Sequence, residues 1–188
     1  SDKGNTIIIP RKALNLLKAT LPAENSDVSI DFNMSNAFFK FGTIRMICRL
    51  IDERYPDYEN VIPTASTIKM TINRVDFLSS LKRISIYANK TTHQVRLKIT
   101  GSELQVSAED LDFSNEANER LSCEHEGEDI EIGFNAKFLI EMLSNFNIEQ
   151  IKLNMSAPNK AGVILPAEKE KGEDILMLVM PVMLNQYV

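Results

Sequence analysis

Two histidines, two cysteines and 26 acidic residues are the groups from which this 188-residue chain could build a catalytic or metal centre. Cys123 and His125 flank Glu124 in the one Cys/His proximity of the chain. Cys-x-His without a second pair lacks zinc spacing, and a strand residue beside an edge residue accounts for it. Asp52, Glu53 and Asp57 form a tempting carboxylate group. They lie at a proline-held, exposed stretch where nothing would desolvate one carboxyl and separate its pKa from the others. Gly42, Gly101, Gly127, Gly133 and Gly162 are isolated, so no phosphate-cradling loop is written here; Gly101-Ser102 reads as a hairpin turn. These residues predict no catalytic group, no metal site and no cofactor.

Basic side chains suggest a different chemistry. Over the helix-patterned segments 10–21, 73–90 and 135–147, Arg11, Lys12, Lys18, Arg74, Lys82, Arg83, Lys90 and Lys137 stand against only Asp76 and Glu141. The helices therefore carry +6, leaving −11 for the rest of a chain whose formal charge is −5. Such a chain could present its helices to phosphates while its strands and loops repel them, giving salt-dependent and sequence-blind affinity. Exposed helix faces that are simply solvated fit the same charges, and the nearly neutral third helix favours that reading.

The elements that position these groups recur. A strand-like TIII at residues 6–9 leads to Pro10, placed at the first helical position, and to Leu14, Leu17 and Leu21 at helix spacing. Three short strands follow, at 28–34, 37–41 and 44–50. The order returns with Ile68, Met70 and Ile72 alternating, Asn73 as N-cap, a helix to about Ala88, and strands at 95–99, 104–108 and 116–123. A third copy has Ile130, Ile132 and Phe134 in a strand, Asn135 as cap, Leu139, Met142, Leu143 and Phe146 inward, then strands at 151–155, 162–165 and 174–184. Helix starts at 10, 73 and 135 lie 63 and 62 residues apart, an internal repeat. Each β-α-β-β-β unit has one apolar helix stripe and one apolar sheet face, so a unit buries its core only against a mate. The second and third units are expected to pair. The first is expected to lack its mate, which would lie upstream of Ser1.

Residues 54–63 (RYPDYENVIP) interrupt this pattern with Pro56 and Pro63 and read as an extended joint between domains, packed on a surface through Tyr55, Tyr58, Val61 and Ile62. The expected domains are 1–63 and 64–188. Composition, 44% hydrophobic and 25% charged, is that of an ordinary globular protein. No apolar run approaches the ~20 residues of a membrane helix. No leader is visible and the initiator Met is lacking, which suggests an excised piece. Cys48 and Cys123 in alternating patterns suggest a reduced, cytoplasmic protein. Residues 168–173 (EKEKGE) read as a solvated loop.

Four motifs in order carry a family resemblance: residues 5–12 (NTIIIPRK), 54–63 with RYPDY and VIP, 131–135 (EIGFN) and 179–184 (VMPVML). Together they resemble the bacterial beta sliding clamp, from the second half of its middle domain through its third domain. The resemblance implies an α+β DNA clamp fold, with helices on one side and antiparallel sheets on the other. It implies a head-to-tail homodimer ring that encircles duplex DNA without reading sequence and has no catalytic activity. Polymerase, clamp loader and repair proteins would dock through short peptides. The resemblance places the peptide pocket at Pro56, Asn60, Val61, Gly162, Leu178, Val179, Met180, Pro181, Val182, Met183 and Leu184. Without it, the run ILMLVMPVML reads as a buried last strand, since unbroken apolar runs are usually core. Asn60 and Met183 stand where some relatives have Arg, and the family's His-Arg-Leu loop, the other pocket wall, is not in the chain. The DNA-facing set would be Arg11, Lys12, Lys18, Arg74, Lys82 and Arg83. The ring contact would fall on Ile86, Tyr87, Glu116 and Glu119, where ordinary helix-end core is an alternative for the first two. A protein-interaction scaffold without DNA binding is the other reading of the whole.

Overall fold

A computed structural model describes residues 6–22, 27–169 and 172–184. The chain divides into two compact units, Ser1–Asp57 and Tyr58–Val188, with the division inside the proline-flanked stretch.

In the first unit, helix α1 (Arg11–Thr20) starts one residue later than its pattern suggested. Pro10 has an extended backbone (ψ 137°) and stands just outside the helix, its carbonyl accepting from the amides of Ala13 and Leu14. Proline has no N–H to give, so the boundary position suits it as well as the first turn does. Strands β1 (Ser29–Phe32), β2 (Asn36–Phe41) and β3 (Ile44–Arg49) form an antiparallel sheet in that order. Ala37, Phe39 and Phe41 are its buried core, backed by Ile9, Leu17, Val28 and Met46. Residues 6–9 form no strand, contrary to their TIII pattern. Ile8 does accept a backbone hydrogen bond from Ile51 at 3.0 Å. A strand needs a ladder, and among the described residues only this rung is present. Helix α1 buries none of its residues.

The second unit begins in the joint, where Glu59–Val61 make a 3-10 turn, so residues 54–63 are not extended throughout. Its first repeat comprises β4 (Ile68–Asn73), α2 (Arg74–Ile84), a 3-10 turn Ser85–Tyr87, β5 (Gln94–Thr100), β6 (Glu103–Asp110) and β7 (Asn115–Ser122). Then come β8 (Glu124–Glu126), β9 (Ile130–Asn135), α3 (Ala136–Ser144), β10 (Gln150–Met155), β11 (Gly162–Pro166) and β12 (Met177–Val179). Helices α1, α2 and α3 start at residues 11, 74 and 136, and so keep the expected period. Asn73 caps α2, its side-chain oxygen accepting from the amides of Val75 and Asp76; Asn135 caps α3 through Lys137. Gly101, at φ 56°, turns β5 into β6 with Ser102, as a two-residue hairpin requires.

Two antiparallel sheets result, ordered β7-β6-β5-β9 and β12-β11-β10-β4-β8. The leading strand of each repeat joins the sheet of the other: β4 pairs with β10, and β9 with β5. Phe77, Leu81, Phe134, Leu139, Leu143 and Ile151 from both repeats share one core, with α2 packed against α3. β8 has no counterpart in the sequence pattern; after Cys123 the chain crosses from the edge of one sheet to pair with β4 in the other. The last expected strand, 174–184, is a strand only at Met177–Val179. Pro181, lacking an amide, breaks it before Val182 bonds elsewhere. Of the loop 168–173, residues 170 and 171 lie outside the described residues. No helix among the described residues is long and apolar enough to cross a membrane.

Phe134 is fully buried where the two repeats interlock. Phe134→Ala should destabilise the second unit by about 3–5 kcal/mol, whereas removing the cap with Asn73→Ala should cost about 0.5–2 kcal/mol. Urea unfolding of both variants checks the ranking.

Candidate functional site

The C-terminal segment is built from the edge of one sheet to the edge of the other. Gly162, Val163 and Ile164 of β11 pair with Val179, Leu178 and Met177 of β12. A Cβ at Gly162 would come within 3.3 Å of Leu153 and Phe134 and 3.4 Å of Val179, so its small size lets the buried Val179 lie flat on the core. Beyond Met180 and Pro181 the chain leaves β12, and the Val182 amide donates to the Gly133 carbonyl at 2.8 Å on the free edge of β9. Gly133 is required there: a Cβ would lie 2.5 Å from the Val182 carbonyl oxygen and 2.8 Å from Leu184 Cδ2. Met180 and Met183 remain exposed, at 57% and 73%.

Val182, Met183 and Leu184 form one wall of a hollow of about 870 Å³. Its other walls are Ile68, Ile130, Gly133, Ala157 and Pro158, rimmed by Arg96, Glu128, Asp129 and Glu131. Apolar walls with flexible methionine and a polar rim suit an apolar peptide anchor. The sequence pattern points to the C-terminal wall and misses the rest; only the extended 131–135 motif signals that region. Gly162, Leu178 and Val179 thus lie together in the β11–β12 ladder, and Val182, Met183 and Leu184 at the hollow. Of the joint residues, Pro56 belongs to the first unit. Asn60 and the half-exposed Val61 form the 3-10 turn at the start of the second.

The expected phosphate contacts divide into two kinds. Arg11, Lys12 and Lys18 are exposed on α1, and Lys82 is exposed on α2. Arg74 is half-buried: its Nε donates to Ile148 O at 2.6 Å and one Nη to Leu143 O at 3.3 Å. That places a cation on the carbonyl end of α3, where the helix dipole favours it. Arg83 makes two bonds of 2.7 Å to the carboxylate of Glu119 on β7. The hydrogen bonds from Arg83 hold the Glu119 carboxyl below the usual range, and those same bonds raise the Arg83 guanidinium.

The expected ring contacts cluster. Ile86 (65% exposed) and Tyr87 lie in the 3-10 turn that packs beside β7, the edge strand that carries Glu116 and Glu119. A polar hollow of about 560 Å³ on the outer face of the four-stranded sheet is lined by Gln94, Arg96, Lys98, Gln105 and Ser107. Arg96 there is bound to Glu131 at 2.7 Å. Among the described residues no group of three or more His, Cys, Asp or Glu could hold a metal ion. Burial raises the Cys123 thiol.

Residues 59–182 match the family model for the C-terminal domain of the DNA polymerase III beta subunit, and residues 1–57 match that for its central domain. The beta sliding clamp of Pseudomonas putida is 28% identical over 171 residues, 91% of this chain and 46% of the relative. That of Proteus mirabilis is 30% identical over 152 residues, covering 80% of this chain and 41% of the relative. A DnaN sliding clamp from Pseudomonas aeruginosa, solved with griselimycin bound, superposes with TM-score 0.87 at 26% identity, over 95% of this chain and 47% of that one. A DnaN sliding clamp from Bartonella birtlesii gives 0.86 at 29% identity, over 97% and 52%. The chain spans about half the length of the curated relatives it matches.

Two outcomes test this geometry. Gly133→Ala should break the Val182 bridge, seen as faster hydrogen exchange of the Val182 amide, with the sheets retained. Glu119→Gln should lower the melting temperature at neutral pH. Because the Glu119 pKa is depressed, its contribution is present above the ordinary carboxylate value and is lost as pH falls through the depressed one; the two melting curves should therefore converge in acid.

Proposed function

Because the chain belongs to the DNA polymerase III beta subunit family, we propose that it forms part of a sliding clamp that encircles duplex DNA and tethers a polymerase and other partners by short peptides. Residues 1–63 would be the second half of a middle clamp domain with its linker, and 64–188 a complete third domain. The observation that carries this reading is the succession of central-domain and C-terminal-domain matches over nearly the whole chain.

Helices built on one side of each unit would face the duplex. Arg11, Lys12, Lys18 and Lys82 would supply exposed phosphate contacts, each adding affinity that salt removes. Arg74 and Arg83 would add positive potential from tethered positions, since carbonyl and carboxylate partners already occupy their donors. Glu119, held by Arg83, would present its acidic strand with Glu116, Ile86 and Tyr87 to the next protomer of a homodimer ring. Partner peptides would insert apolar anchors beside Met180, Pro181, Val182, Met183 and Leu184, with Asn60, Val61, Gly162, Leu178 and Val179 completing the site. Nothing in this scheme calls for catalysis or a cofactor, and its place of action is the cytoplasm.

A chain of the relatives' length carrying these residues should stay on closed circular duplex and run off once the duplex is cut; equal retention on both would point to an interaction scaffold instead. On this chain, Lys82→Glu should reduce the salt dependence of duplex binding by about one counterion and leave peptide binding intact. Met180→Ala should do the reverse in a peptide titration.

A further inference from the structure

The two hollows of the second unit meet at one ion pair. On β5 the side chains of Gln94, Arg96 and Lys98 alternate with the buried Val95, Leu97 and Ile99, so they stand on the outer face of the four-stranded sheet. Arg96 lies opposite Gly133 of β9 in the ladder, and its Nη1 donates to Glu131 Oε1 at 2.7 Å. Its Nη2 lies 3.8 Å from Glu109 Oε1 on β6. Arg96 and Glu131 line both the apolar hollow and the polar one, so the two adjoin across this pair.

The apolar hollow offers Ile130, Pro158, Val182 and Leu184, and the polar one offers Gln105 and Ser107. Charge along both is one-sided. At the apolar end Glu128, Asp129 and Glu131 stand against Arg96; the polar end adds Glu109, Asp112 and Glu116 against Lys98. Arg96 is already neutralised by Glu131 and Glu109. Asp129 accepts from the Gly101 amide at 3.3 Å and Asp112 from the Asn89 side chain at 3.4 Å, both uncharged donors. Among the described residues no cation pairs with Glu128, Asp129, Asp112 or Glu116. An apolar hollow beside such a surplus of carboxylates attracts a cation and repels a phosphate or a second carboxylate.

We propose that these hollows take a peptide segment whose apolar anchor is flanked by lysine or arginine. The anchor enters beside Val182 and Leu184, and the basic flank runs past Arg96 to the polar hollow, where Glu109, Asp112 and Glu116 receive it. The proposal rests on the peptide-docking role of the C-terminal segment and adds the chemistry of the peptide. An acidic flank finds no unpaired guanidinium at Arg96 and meets Glu128 and Asp129 instead. The same carboxylates turn a duplex away from this face and leave it to the helices.

Titration of the 188-residue chain with three synthetic peptides tests this, one Leu-Phe anchor being flanked by lysines, by serines or by glutamates. The lysine peptide should bind tightest and the glutamate peptide weakest, by up to roughly five-fold per charge, and the order should flatten as salt rises. The lysine peptide should shift the amide resonances of Gly133 and Ser107 together. Glu128→Lys should reduce the lysine-to-glutamate affinity ratio by roughly five-fold. Equal affinity for all three peptides, each weakened by Met180→Ala, overturns the charge selection and keeps the peptide site; so does a preference for glutamate. Failure of all three to bind overturns the peptide site itself and this proposal with it. A lysine peptide that binds without moving the Ser107 amide overturns the course past Arg96.

Discussion

An amphipathic helix lying on a three-strand sheet has one apolar face too many, and the second unit removes it by exchanging strands. β4 leaves its own repeat to pair with β10, and β9 leaves its repeat to pair with β5. Each exchange brings the following helix over the shared core, so backbone pairing and side-chain burial are completed by the same crossing. Phe77 and Leu139, at the same place in two repeats, reach zero exposure for this reason. The first unit has the same local chemistry and a smaller core, because three strands and one helix cannot enclose it.

Electrostatics are subordinate to that packing. Arg74 stands at the start of α2, and the crossing that pairs β4 with β10 delivers the carbonyl end of α3 to its guanidinium. Arg83 is carried by α2 to β7, where Glu119 meets it with both carboxylate oxygens. A charge count over helices treats both as cations for a phosphate. The fold has already given each an internal partner, so the surface field rests on fewer mobile charges than the composition implies.

The C-terminal segment shows how a small residue can position a site. Gly162 lets Val179 lie against the core, and Gly133 admits the Val182 carbonyl and Leu184 at a distance where a Cβ would collide. Between these two anchors Pro181 cannot donate to a ladder, and Met180 is left outside. An apolar stretch that would otherwise be buried strand thus crosses from sheet to sheet and forms the wall of a hollow.

Much of this was legible in the residues themselves. The period of the helices, the Asn73 and Asn135 caps, the Gly101-Ser102 hairpin and the alternation of the β5, β6 and β10 strands are local matters of backbone dihedral and side-chain period. What only the tertiary structure decided involves partners far apart in the chain. The strand exchange, the crossing into β8, the carbonyls 69 and 74 residues from Arg74 and the carboxylate 36 residues from Arg83 are examples. So is the failure of residues 6–9 to be a strand despite their three isoleucines, since β-structure exists only where a second chain segment supplies the hydrogen bonds.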